Sequence, residues 1–374
     1  MRKQHTSKLR EAIRTNIKHH IFQNLTNPAR AYFFLRMAKW QMQASRTRKK
    51  WNNQGVWVPP FMAVSITSRC NLRCHGCYHH TKPQNFSNNM STNQLKHLIA
   101  QAKEIGVSFI LLLGGEPLAR KDILAITQNF PEIIFPLLTN GIFLEERIIR
   151  ILQKQQNVVP IISLEGPEQE TDQRRGQGVF KHNMKVMKLL KKSNLLFGTN
   201  MTVTRQNFDR ILNKQFIMEL IAKGCKVIGF LEYLPLLEGT ESLVITEEQR
   251  RKKRDAIISL RKNIQGVFFI DLPGDEDYLG GCLSSGRGFL HVSPEGHLEP
   301  CVFFPTSDSN IKDISLIEAL QSPLLSMIRE VGQQMGEAKR GCALWKHREL
   351  VKRPASAGIC SSTFIEQPAL RESH

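Results

Sequence analysis

The chain has 374 residues, 41% hydrophobic and 23% charged, enough to build two domains or one large α/β barrel with an appendage. With 7% aromatics and 17 prolines it is neither a low-complexity nor a collagen-like chain, and no apolar run approaches the ~20 residues that a membrane-spanning helix needs. Met1-Arg2-Lys3-Gln4-His5 leads into a charged stretch rather than the apolar core of a secretory signal, so the sequence predicts a cytoplasmic protein whose thiols stay reduced. The net charge of +19 is concentrated near the start. Residues 1–58 carry thirteen Lys or Arg against one acid, Glu11, which is +12 of that excess.

This leader reads as two helices. Leu9, Ile13, Ile17 and Ile21 recur at helical spacing, and Asn27-Pro28 forms a start signal for a second helix with Phe33, Met37, Trp40 and Ala44 on one face. A basic amphipathic helix of this kind suits either an anionic membrane surface or the body of the protein, with nucleic acid the least favoured partner.

From Pro59 onward strands and helices alternate. Strands are predicted over residues 61–67, 108–113, 133–139, 158–163, 195–203 and 226–232. A helix opens at Ser91 with Leu95, Leu98, Ile99 and Ala102 on one face, and others follow at 122–129, 144–153, 181–191, 207–222 and 246–262; the first and last open on capping-box spacings, Ser91 to Gln94 and Thr246 to Gln249. Six such units fall short of the eight that close an ordinary (β/α)8 barrel, so the fold class expected is α/β, a partial (β/α)6 TIM-type barrel. It carries an N-terminal helical extension and a small C-terminal β-hairpin and helix unit. Beyond Val267, residues 267–271 read as a further strand, 289–293 and 297–301 as a hairpin around Pro294-Glu295-Gly296, and 314–331 as a helix. The expected divisions are 1–58, 59–265, 266–352 and a polar tail, 353–374.

The strongest chemical signal is Cys70-Asn71-Leu72-Arg73-Cys74-His75-Gly76-Cys77, three thiols in eight residues directly after the first strand. Thiolates favour zinc or an iron–sulfur cluster, and His75, His79 or His80 leaves a four-ligand zinc site open. One strand later stands Gly114-Gly115-Glu116-Pro117, at the C-terminal edge of the sheet where α/β proteins bind ligands. Two glycines there let the backbone approach a ligand closely.

Together these motifs resemble the radical SAM superfamily. The resemblance implies a 4Fe–4S cluster on Cys70, Cys74 and Cys77 with S-adenosylmethionine on its open iron. It implies reductive cleavage to a 5′-deoxyadenosyl radical, hydrogen abstraction from a substrate, and a reduced flavodoxin or ferredoxin as electron donor. It assigns Gly114, Gly115, Glu116 and Pro117 to the methionine amino group, and Ser163, Asn200 and Arg174 to the cofactor pocket, with Arg174 in a loop after the fourth strand. Thr139-Asn140-Gly141 and Ser163-Leu164-Glu165-Gly166 fall at the matching strand ends. Many members carry an aromatic residue before the third cysteine; this chain has Gly76, followed by Tyr78 beyond Cys77.

Cys282, Gly296 and Cys301 stand in a Cys-x13-Gly-x4-Cys spacing that resembles the hairpin opening SPASM and twitch domains. That resemblance implies a second 4Fe–4S cluster, with Cys342 as third ligand and Cys360 as fourth. Cys225 reads as a buried structural thiol. Glu232 and Tyr233 end the sixth strand facing where a substrate would lie, and Asp271, Asp275, Glu276 and Asp277 form an acidic stretch before Cys282. The expectation is a radical SAM enzyme acting on a peptide, a protein or a membrane-associated lipid. A zinc-stabilised nucleic-acid-binding protein and a radical SAM enzyme acting on RNA are the alternatives.

Overall fold

The structure, a computed structural model, describes residues 28–81, 88–279, 281–334, 342–347 and 361–362. The first expected leader helix, Cys360 and all of the tail but residues 361–362 lie outside them.

Helix α1 (Pro28–Asn53) begins at the expected proline. It buries Met37 and exposes Tyr32, Leu35 and Met42, while the Arg36 guanidinium lies over the rings of Tyr32 and Trp40 at 5.5 and 4.5 Å. Its C-terminal half packs on the end of α2 (Thr92–Ile105). The α2 cap, Gly106, has φ +95, and a Cβ there would lie 2.6 Å from the Ala44 carbonyl oxygen, so glycine is what lets the helices meet. Arg48 donates to the Gly106 carbonyl across the same contact.

Seven parallel strands follow: β1 (Phe61–Ser65), β2 (Phe109–Leu113), β3 (Phe135–Thr139), β4 (Val158–Leu164), β5 (Gly198–Val203), β6 (Val227–Glu232) and β7 (Phe268–Leu272). Their spatial order is β7-β6-β5-β4-β3-β2-β1, an open partial barrel one strand larger than the six expected units. The sheet then continues past β1 through β8 (Phe289–Val292), parallel to it, and β9 (Leu298–Glu299), antiparallel to β8. The C-terminal hairpin therefore shares its sheet with the barrel strands.

Burial alternates along the strands. Met62, Val64, Ile110, Leu112, Ile162, Met201 and Ile228 are fully covered on the outer face by helices including α2, α4 (Glu146–Gln155), α6 (Val179–Lys192), α8 (Lys214–Ala222) and α9 (Glu247–Asn263), which together with the strands form one continuous core; α3 (Ile123–Thr127) lies between α2 and α4 in the chain. Phe61, Phe109, Leu111, Leu138, Ile161, Asn200 and Val227 are only half-buried on the inner face. At the β7 edge Ile270 and Leu272 are 41% and 37% exposed, so the interior opens there.

Three expectations are corrected. Residues 207–222 form two helices, α7 (Phe208–Ile211) and α8, because the Asn213 side chain accepts from the Gln215 and Phe216 backbone N–H groups and starts a new helix. The predicted helix over 314–331 is likewise α10 (Leu316–Ala319) and α11 (Pro323–Gln334), divided before a proline that can only begin a helix. Arg174 lies not in a loop but in the last turn of a helix, α5 (Glu168–Arg175), whose only buried residues, Thr171 and Asp172, give no apolar stripe to read. A short helix, α12 (Ala343–Lys346), and a two-residue pair, β10 (Thr306–Ser307) with β11 (Ser361–Ser362), complete the fold.

Candidate active site

The cysteine loop is fastened to the Gly114-Gly115-Glu116 turn as a continuation of the β1–β2 ladder. Ile66 N–H donates to Leu113, Gly115 N–H to Thr67 at 2.8 Å, and Glu116 N–H to Arg69 at 2.7 Å. The approach is close enough that a Cβ on Gly114 would stand 2.3 Å from the Thr67 carbonyl oxygen, and one on Gly115 2.1 Å from that of Arg69 and 2.9 Å from the Cys70 nitrogen. The glycines thus make room first for the cysteine loop itself. Pro117 opens the single 3-10 turn that follows.

Glu116 is buried and joins this turn to the end of β3. One carboxylate oxygen accepts from Thr139 Oγ1 at 2.8 Å and Leu118 N–H at 3.0 Å, the other from Asn140 N–H at 2.8 Å. Burial raises its pKa above the ordinary carboxylate value, against the pull of these donors. Asn140 in turn donates to the Asn71 side chain inside the cysteine loop at 2.8 Å.

On the other side the loop is clamped by α5. His75 N–H donates to the Arg174 carbonyl, and Arg174 Nε donates back to the His75 carbonyl, both at 3.0 Å. Glu165, at the end of β4 and 1% exposed, pairs with Arg174 at 2.8 Å and with Arg175, and accepts from Thr202 N–H of β5. Burial opposes the charge on Arg175, but Glu165 and the thiols of Cys74 and Cys77 outweigh it and raise its pKa. Cys70 is pushed up to about 11, chiefly by burial, with Glu116 and the other two thiols adding to it. Cys77 is raised by burial and by Cys74, while Arg174 and Arg175 pull it down. Three thiols thus feel one another beside two arginines. His79, one of the histidines that left a zinc site open, is buried with its ring nitrogen 2.9 Å from the Ser68 carbonyl oxygen.

Ser163, Asn200 and Gly229 stand in one row across β4, β5 and β6. A Cβ on Gly229 would lie 2.6 Å from Asn200 Oδ1, so that glycine gives the asparagine its place on the inner face. The strand ends bring Gly115, Glu116, Asn140, Ser163, Glu165 and Asn200 to one mouth of the barrel, together with the cysteine loop. Residues 64–213, which span all of these, match the profile of the radical SAM superfamily.

The chain carries a radical SAM domain over residues 64–213. It is 26% identical over 283 residues to the AdoMet-dependent heme synthase of Methanosarcina barkeri, covering 68% of this chain and 80% of that one. It is 28% identical over 273 residues to the PqqA peptide cyclase of Rhizobium meliloti, covering 69% and 73%. Among solved structures, Streptococcus suis SuiB bound to the precursor peptide SuiA shares the fold with TM-score 0.62 and 18% identity over 77% of this chain and 71% of that one. The anSMEcpe structure with bound AdoMet does so at 0.60 and 16%, over 80% and 94%.

Radical SAM enzymes use a 4Fe–4S cluster and S-adenosylmethionine. The donor set here fits that group. Cys70 and Cys77, raised by burial, become thiolates only when a cationic core replaces their protons, and Arg174 and Arg175 stand where the net anionic product needs compensation. Among the described residues, no group of three or more His, Cys, Asp or Glu is gathered as the ligands of a single metal ion would be.

A second group of thiols lies beside the hairpin. Cys282, Cys301 and Cys342 meet in a small separate core with Phe304, Leu324, Ile328 and Leu344, where the Phe304 and Trp345 rings meet edge to face at 6.1 Å. Cys282 is pushed up to about 11 and Cys342 well above the ordinary thiol value, by burial first, then for Cys342 by the other two thiols and Glu276. Arg287 donates to the Cys282 carbonyl at 2.6 Å.

Tyr78 connects the two groups. Its hydroxyl donates to the Gly114 carbonyl at 3.5 Å, and its ring meets Phe303 edge to face at 5.7 Å. Behind it, Ser65 Oγ lies 2.8 Å from His291 Nε2, and His291 Nδ1 lies 2.6 Å from Glu299, all three buried. This chain ties the end of β1 to β8 and β9. Neither it nor the double pairing of Glu165 is signalled by local sequence spacing: Ser65 and His291 are 226 positions apart, and Arg174 and Arg175 lie on a helix with no apolar stripe.

Proposed function

We propose that this protein is a radical SAM enzyme that abstracts hydrogen from a peptide or protein substrate, with a second 4Fe–4S cluster on Cys282, Cys301 and Cys342. The observation that carries the reading is the fastening of Cys70-x3-Cys74-x2-Cys77 to Gly114-Gly115-Glu116 at the open mouth of a partial barrel. When bound, the cluster and S-adenosylmethionine supply the one-electron cleavage that yields 5′-deoxyadenosine and methionine on turnover. The protein holds the three thiols in one loop, with Asn140 and Arg174 fixing that loop from opposite sides. Ser163 and Asn200 present polar groups to the nucleoside half of the cofactor from the inner face, and Gly114 and Gly115 carry the turn assigned to its amino group.

Two points support a peptide as substrate. The chain resembles a PqqA peptide cyclase in sequence and a precursor-peptide-bound enzyme in fold. The open β7 edge also exposes Ile270 and Leu272 on the face that continues the row of Asn200 and Gly229. We assign the electron donor to the flavodoxin or ferredoxin class. A membrane-surface contact through the leader rests on its charge and on exposed Tyr32, Leu35 and Met42; no described helix is long and apolar enough to cross a membrane.

The test is anaerobic S-adenosylmethionine turnover by the reconstituted enzyme with dithionite, alone, with a random peptide library, and with anionic lipid vesicles. Peptides are expected to raise 5′-deoxyadenosine formation above the background rate. Stimulation by vesicles alone would replace the peptide reading with a lipid one.

A further inference from the structure

Gly76 occupies the position before the third cysteine, and its backbone is left-handed, φ +67. The space beside it is not empty. A Cβ built on Gly76 would lie 2.9 Å from Tyr233 Oη, 3.1 Å from Cε2 and 3.3 Å from Cζ. Tyr233 comes from the other end of the sheet, one residue past β6, where its N–H donates to the Val203 carbonyl at 3.0 Å. By strand alternation it shares the inner face with Gly229, in the row of Asn200 and Ser163. A larger residue at position 76 would push the ring away, so the glycine and the tyrosine form one complementary pair.

The hydroxyl of this ring is the second observation. Tyr233 is 3% exposed, yet its Oη is buried with no partner in hydrogen-bond geometry; Thr240 acts on it from nearby, while the Thr240 hydroxyl donates to the Leu237 carbonyl. A buried phenol without a partner costs stability unless a ligand completes it. Its place is beside the cysteine loop, against Gly76, with Arg174, Glu241 and Cys77 as the charged groups that act on it. Burial keeps the phenol neutral, and so a donor. The Gly114-Gly115 turn, assigned to the methionine end, lies on β2, four strands away from β6.

We propose that Tyr233 is a cofactor-positioning residue, its ring packed over Gly76 as the aromatic wall beside the third cysteine and its hydroxyl donating to the nucleoside half of bound S-adenosylmethionine. This rests on the radical SAM reading above. It assigns to β6 the aromatic group that the cysteine motif lacks.

The experiment compares wild type and Tyr233→Phe, both anaerobically reconstituted, in binding S-adenosylmethionine, 5′-deoxyadenosine and methionine by equilibrium dialysis. Iron content and melting temperature are measured alongside. Tyr233→Phe should bind S-adenosylmethionine and 5′-deoxyadenosine roughly three- to tenfold more weakly, the worth of one hydrogen bond, and methionine unchanged. Because the hydroxyl has no partner in the ligand-free protein, the variant's apoprotein should melt no lower than wild type. Unchanged 5′-deoxyadenosine affinity, an equal loss for methionine, or a lower melting temperature with lost iron would overturn the proposal. If wild type itself fails to bind S-adenosylmethionine, the radical SAM reading fails with it, an outcome distinct from equal binding by both proteins.

Discussion

Gly115→Ala tests how the cysteine loop is held. Gly115 does not use the left-handed backbone, so the substitution brings no conformational strain, only volume. The new Cβ would stand 2.1 Å from the Arg69 carbonyl oxygen and 2.4 Å from its carbon. Close carbon–oxygen contacts in proteins are about 3.3 Å, so the two segments must separate by about 1 Å. Neither neighbour is a flexible side-chain end; both are backbone. That separation breaks or lengthens the Gly115-to-Thr67 and Glu116-to-Arg69 hydrogen bonds, now 2.8 and 2.7 Å. At about 1 kcal/mol each, plus the desolvation of the groups left unpaired, the expected loss is about 2–4 kcal/mol. Gly239→Ala is the control, since Gly239 has φ +77 but open space around it, and should cost only the left-handed penalty of about 1–2 kcal/mol. Urea unfolding of both apoproteins and iron-to-protein ratios after reconstitution give the comparison. The reasoning is refuted if Gly115→Ala loads iron like wild type and unfolds no earlier than Gly239→Ala.

Three further predictions concern the rest of the molecule. His291→Ala should lower stability by about 3 kcal/mol in urea unfolding, because it takes from buried Glu299 a hydrogen-bond partner 2.6 Å away, whereas Ser65→Ala should cost about 1 kcal/mol. Cys282→Ala should reduce reconstituted iron from about eight to about four per chain while the Cys70 group keeps its own; unchanged iron would deny the second cluster. Cys225, fully buried with its pKa raised to about 12 by burial, should resist iodoacetamide at pH 8 until the protein is unfolded. Its thiol stays protonated in the fold where the unfolded chain ionises. Stability from this site is therefore full below pH 9 and falls as pH rises toward 12, a fall that Cys225→Ala should reduce.

The parts legible in the sequence were those with local signatures. Strands such as Phe109–Leu113 are buried on one face and half-buried on the other, so they read as short apolar runs, and Ser91 and Thr246 mark helix starts through side chains three residues apart. The cysteine spacing and Gly114-Gly115 are local too. Polar residues that find partners across the fold were not legible. Glu165 sits in a recognisable strand end, but its hold on Arg174 and Arg175 depends on a helix with no apolar stripe. Ser65 and His291 are separated by 226 positions and meet only because β8 lies beside β1. Tyr233 reads as a residue facing a substrate; its place over Gly76 follows from the curl of the sheet between β1 and β6.

The central claim is that Cys70, Cys74 and Cys77 hold the cluster that cleaves S-adenosylmethionine. Single-turnover formation of 5′-deoxyadenosine under dithionite, in wild type and in Cys74→Ala with comparable fold and retained auxiliary iron, measures it directly. The account predicts product from wild type alone; product from Cys74→Ala at the wild-type rate would contradict it.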